Sequence, residues 1–80
     1  MNFRPFEPLV GNGSDQPVDV RRDELLYIRA TTADVEVRAV PNAAAKLTIP
    51  AGTLVPLGRS HGQTLYLRAT EGTVIELAVT

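Results

Sequence analysis

Ser60 and His61 are the one adjacent serine and histidine in the chain, and His61 is its single histidine. Acyl-transfer chemistry needs a nucleophile, a base and a third group to orient the base, which two neighbours in one loop cannot supply. His61 is therefore expected in a surface loop, where it can contact a partner, and no catalytic residue is assigned. Asp15, Asp19, Asp23 and Glu24 lie close in sequence, but their spacing matches no calcium loop and an extended chain would splay them; solvation is the expectation. Gly11 and Gly13 precede Ser14-Asp15-Gln16-Pro17, where no helix can start, so they form no phosphate cradle. Asn12-Gly13-Ser14 has the form of a glycosylation sequon, which without a secretion signal reads as a turn. With no cysteine, disulfides and thiolate sites are excluded, and one histidine gives no zinc-ligand spacing. No cofactor or metal is expected.

The residues with the most to offer are Tyr27 and Arg29 and their repeat, Tyr66 and Arg68. Each pair puts an aromatic ring and a guanidinium on the side of a strand opposite its apolar residues. Tyrosine gives contact area at low entropic cost and arginine gives forked hydrogen bonds, so both are enriched where proteins bind each other. A tyrosine–arginine stack inside one domain would use the same residues differently, and the two roles are compatible.

The elements that carry these residues alternate with period two. Leu26, Ile28 and Ala30 share one face, and Tyr27 and Arg29 share the other. Thr31 to Asp34 read as a turn, and Val35 to Ala39 alternate again, so the two segments are expected to form a hairpin. Ala45 to Ile49 is a third strand that stops at the Pro50-Ala51-Gly52-Thr53 turn. Leu54 to Leu57 is a fourth, and Pro56 confines it to a sheet edge or a bulge. Leu65 to Thr70 then repeats Leu26 to Thr31, and Glu76, Leu77 and Val79 match Glu36, Val37 and Ala39. The hairpin is thus expected twice, the second with a longer turn in which Gly72 takes a positive φ. Six or more short strands with no helical period predict a small antiparallel β-sandwich or barrel of about six to eight strands. Its core would be Leu26, Ile28, Val35, Val37, Leu65, Leu67, Ile75 and Leu77.

Residues 1–22 have three prolines and the flexible run Gly11 to Asp15, which oppose helix and central strand alike. They are expected as an extended N-terminal arm ahead of a sandwich over 23–80. Phe3, Phe6, Leu9 and Val10 are too many apolar residues for a solvated tail, so part of the arm should pack on its own domain or on a neighbour. Eighty residues with 44% hydrophobic content allow one core, in a size range where only about 60% of the unfolded surface is buried. Without a disulfide or metal, the missing stability points to oligomerisation or docking. A net charge of -1 gives no field for nucleic acid. No segment has the apolar length of a membrane span or the pattern of a signal peptide, so a soluble chain made in the cytoplasm is expected.

The strand Leu25-Leu26-Tyr27-Ile28-Arg29, a short valine strand, Leu47-Thr48-Ile49-Pro50-Ala51-Gly52-Thr53 and Leu65-Tyr66-Leu67-Arg68-Ala69-Thr70 together resemble small β-sandwich virion proteins of tailed bacteriophages. The resemblance covers roughly residues 24–80 and leaves the arm unplaced. It implies a non-enzymatic decoration or cement protein, present in many copies on the capsid. The major capsid protein or another virion protein would be the partner, with self-association, as a trimer for example, compatible with that role. Under that reading Phe3, Phe6, Leu9, Val10, Tyr27, Arg29, Tyr66 and Arg68 make the contacts. A head-to-tail or tail ring component is the alternative within virions. A carbohydrate-binding module is the alternative outside them, weakened by the absence of tryptophan.

Overall fold

The structure, a computed structural model, describes residues 4–5, 8–58 and 62–79. Among the described residues nine strands form two antiparallel sheets, and no helix occurs. They are β1 (Arg4–Pro5), β2 (Leu9–Val10), β3 (Gln16–Val20), β4 (Leu25–Ala30), β5 (Val35–Arg38), β6 (Leu47–Ile49), β7 (Val55–Gly58), β8 (Gln63–Ala69) and β9 (Val74–Val79). Sheet I runs β1-β9-β4-β7, with β2 continuing β1 along the same edge of β9, and sheet II runs β3-β8-β5-β6. The all-β sandwich expected from the alternation is present, with every core residue named from the sequence facing inward. Leu65 is partly buried; the others are buried.

The repeat is also present, but its strands pair differently from the expected hairpins. β4 pairs with β9 and β7, while β5 pairs with β8 and β6. The chain therefore crosses from one sheet to the other at Thr31–Asp34, and crosses back at Thr70–Thr73. Each repeat is an arch, and the two arches interlock so that the first strand of one lies beside the second strand of the other. A hairpin and an arch bury the same alternate residues, so the period alone cannot separate them. Gly72 does adopt φ 89°, in a turn closed by the Thr73 N–H donating to the Thr70 carbonyl at 3.0 Å.

The duplication extends beyond the segments that resemble each other. Gly13 and Gly52, 39 residues apart, both sit in corners at φ near 80°. Their N–H groups donate to the carbonyls of Ala69 and Ala30, again 39 residues apart. Pro17 and Pro56 share that offset and lie on the edge strands β3 and β7. The whole sandwich is thus an approximate two-fold that exchanges the sheets.

This arrangement revises the reading of residues 1–22. Within that segment, Gln16–Val20 is a strand of sheet II, with Val18 and Val20 in the core. The run Gly11 to Asp15 is a fixed corner, not a flexible one. Gly11 is buried, its N–H donates to Thr73 O at 2.7 Å, and a Cβ there would collide with the Thr70 and Ala69 carbonyls. The registers Pro5↔Ala78 and Leu9↔Ile75 differ by one residue. Proline lies on or beside every edge: Pro5 and Pro8, Pro17, Pro56, and Pro50 directly after β6. Edges blunted in this way resist lateral strand addition.

Candidate functional site

Among the described residues the core between the sheets is apolar. The buried polar residues among those described are Thr73, in the corner before β9, and Arg38, on the outer face of sheet II, where the side chain of Asp15 is buried as well. No group of His, Cys, Asp and Glu among them could hold a metal ion. Ser60 and His61 lie outside the described residues, as do Phe3 and Phe6. The functional surfaces must therefore be sought on the two outer faces.

Tyr27 and Arg29 point outward from β4, and Tyr66 and Arg68 point outward from β8. Because β4 and β8 belong to different sheets, the two pairs stand on opposite sides of the molecule and do not form one surface. The two-fold makes their surroundings directly comparable. On sheet I, Arg29 lies across from Glu76; on sheet II, Arg68 lies across from Glu36.

On sheet II the charges interlock. Asp15, expected to be solvated, has a side chain only 5% exposed and stands beside Arg68, whose Nη2 donates to its Oδ2 at 3.0 Å. The Asn42 N–H donates to the same oxygen at 2.7 Å, and Asn42 Oδ1 accepts from Arg68 Nη2 at 2.7 Å. Asn42 takes φ 60°, a conformation asparagine tolerates better than most residues. Arg38 is 7% exposed because the 40–46 corner folds over it: its Nε donates to Ala43 O at 2.9 Å, and its Nη1 lies 2.8 Å from Glu36 Oε1 and 3.6 Å from Asp15 Oδ1. Lys46 Nζ donates to Glu36 Oε2 at 2.6 Å. The Asn42 N–H holds the Asp15 carboxyl below the ordinary carboxylate range, helped by Arg68 and Arg38 and opposed by burial. Lys46 and then Arg38 do the same for Glu36. Three atoms of the cluster, Asp15 Oδ1, Arg38 Nη1 and Arg68 Nε, are buried without an aligned hydrogen bond.

This cluster clamps three segments together: the 11–15 corner, the 40–46 corner and sheet II. Beside it lies an open groove of about 390 Å³, lined by Gly13, Asp34, Glu36, Thr48, Arg68 and Thr70 among others. No aromatic side chain is among its described lining residues, so they give a sugar ring no platform for stacking. Its carboxylates are engaged as well, Glu36 with Lys46 and Arg38, and Asp34 in accepting from the Ala51 N–H at 3.0 Å.

Sheet I presents a different face. Arg29 Nε donates to Glu76 Oε1 at 2.8 Å, and both side chains are close to half exposed. Around this pair stand Tyr27, Ala78 and Pro56 in one cross-strand row, Leu25 to one side, and Val10 opposite Val74 to the other. Val10 is 56% exposed, whereas Leu9, the other arm residue placed here, packs on the core. The residues missed from sequence are Asp15, Arg38 and Asn42 on sheet II and Val74 and Ala78 on sheet I. A signal for Asp15 existed: at the repeat offset of 39 it aligns with Leu54, so the halves differ where one could carry a charge cluster.

No family model matches the chain, and no curated protein matches it. Among solved structures it is similar to a de novo designed double-stranded β-helix determined by solution NMR, with a TM-score of 0.61 at 16% identity over 99% of this chain and 96% of that one. That likeness describes the fold, in agreement with the interlocked arches.

Proposed function

We propose that this chain is a non-enzymatic structural protein that docks in many copies on a larger assembly, as a capsid decoration protein of the tailed-phage type. The observation that carries the reading is how apolar residues are distributed. Among the described residues the space between the sheets is packed with apolar side chains, while Val10, Leu25, Val40, Leu47, Leu54 and Val74 remain exposed on the outside. Val10 and Val74 adjoin on sheet I, and exposed apolar residues that adjoin favour contact with another molecule. Proline-blunted edges favour contact through faces and corners over strand addition. Burial on a shell would also add the stability that an 80-residue core without cross-links is short of. The phage assignment itself comes from the sequence resemblance.

Co-sedimentation with empty capsid shells from a candidate phage tests the proposal. The full chain should bind saturably, and Phe3→Ala with Phe6→Ala should weaken binding at least about tenfold, with circular dichroism checking that the variant is folded. A chain that stays in the supernatant at every concentration would refute the decoration role. Rings formed without shells would favour a head-to-tail position instead.

A further inference from the structure

Sheet I differs from sheet II in one place that decides what can sit on it. On sheet II, Tyr66 has Arg38 as its cross-strand neighbour, and Arg38 together with the 40–46 corner fills the surface beside the ring. The two-fold counterpart of Arg38 on sheet I is Ala78, across from Tyr27. Among the described residues, a small side chain there leaves a recess next to an outward aromatic ring.

The order of residues across the sheet says what fits that recess. Register places Pro5, Ala78, Tyr27 and Pro56 in one row from edge to edge. Two residues along the strands, Glu76 faces Arg29. Consider a two-fold axis parallel to the strands, above the line between β4 and β9. It lays β4 of one copy over β9 of another, so Tyr27 meets Ala78, Arg29 meets Glu76, and the proline positions at the two ends meet each other. Large lies over small and positive over negative in the central strands of both rows. An axis running across the strands through the Arg29 row would instead set like residues over each other, Arg29 over Arg29.

We infer that the outer face of sheet I is a two-fold self-association surface, on which a second copy of this chain packs face to face with Tyr27 seated beside the partner's Ala78. The inference rests on the reading that the chain works through contact surfaces, and it assigns one of them. Isologous contacts of this sort are the commonest between identical subunits, and aligned sheets pack in this way within sandwiches. The footprint is small. Four strands about 4.8 Å apart and five residues at about 3.4 Å each give roughly 300 Å² per copy, against about 800 Å² in a typical stable interface. The pair should therefore be weak and concentration-dependent in free solution, and gain strength where a lattice holds copies close together.

Charge reversal tests both the surface and its axis. In Arg29→Glu the opposing residues are both acidic, and in Glu76→Arg both are basic, so each variant alone should associate at least about tenfold more weakly than the natural chain. Mixed together, the two variants restore opposite charge at both contacts. The position changed in one copy lies over the position changed in the other, and the unsubstituted Arg29 of one lies over the unsubstituted Glu76 of the other. The mixture should form a heterodimer within about threefold of the natural affinity. Sedimentation equilibrium of each chain and of the mixture, up to about 1 mM, reads the result, with circular dichroism confirming that both variants are folded. A natural chain that stays monomeric over that range, or a mixture that associates no better than its components, would overturn the inference. No shell is present in this experiment, so failure to decorate capsids would leave the dimer standing, and the reverse holds equally.

Discussion

The two outer faces of this sandwich share one residue pattern and have been put to opposite uses. Each has a tyrosine and an arginine on its central strand and a glutamate across from that arginine. On sheet II the arginine is enclosed by Asp15 and Asn42, and the neighbouring Arg38 is buried under a corner of chain. On sheet I the position matching Asp15 is Leu54, 57% exposed, and the position matching Arg38 is Ala78. Among the described residues, Leu54 and Ala78 in place of Asp15 and Arg38, together with the 40–46 corner that covers sheet II, separate a face closed by its own chain from a face left open. The energetic consequence follows from solvent. Charges withdrawn from water depend strongly on their partners, whereas a half-exposed pair is screened and contributes little.

The largest effect should come from Asp15→Ala. Removing the carboxylate leaves Arg38 buried with one fewer counter-charge and frees the Asn42 N–H, at a cost of about 3 kcal/mol. Urea unfolding should show this as a lower midpoint with an unchanged slope. If Asp15→Ala and Glu76→Ala cost the same, the contrast between the faces fails.

Acid should act on the same side of the molecule. Asp15 and Glu36 have folded-state pKa values below their ordinary ones, so their contribution is complete above the unfolded carboxylate range near pH 4 and is lost as pH falls through the lower folded values. Amide exchange at Asn42 should accelerate in that window ahead of exchange in β4 and β9. Asp15→Asn should remove much of the dependence, and an unchanged pH profile in that variant would contradict the assignment.

A smaller effect is expected from giving sheet I what sheet II already has. Ala78→Arg should fill the recess beside Tyr27 and abolish self-association, while changing monomer stability by no more than about 1 kcal/mol. Dimerisation that survives this substitution would show that the recess is not used. Smallest of all is Glu76→Ala, expected to change monomer stability by at most about 0.5 kcal/mol because its pair with Arg29 is solvated. Thermal unfolding at low and high salt checks it.

Much of the fold was legible in the residues. Alternation put Leu26, Ile28, Val35, Val37 and Leu67 in the core, Pro56 put its strand at an edge, and Gly72 marked a turn with positive φ. The outward direction of Tyr27, Arg29, Tyr66 and Arg68 was legible for the same reason, since side chains in a strand alternate whatever lies beside it. The wider duplication was also visible in principle, because Gly13 and Gly52, and Pro17 and Pro56, repeat at the offset of the stronger match. Glycine and proline positions report backbone geometry even where side chains have diverged.

Residue order alone therefore settled local matters: which positions extend, which side of each strand is apolar, and where the chain must turn. Long-range packing settled which strands became neighbours, and with that whether the two Tyr–Arg pairs shared a surface. Period two is identical for a strand that folds back beside its predecessor and one that crosses to the opposite sheet. The fate of Asp15 was likewise beyond local pattern. Its partners Arg38, Asn42 and Arg68 lie 23 or more residues away, and a carboxylate is buried only when such distant groups converge to replace its water.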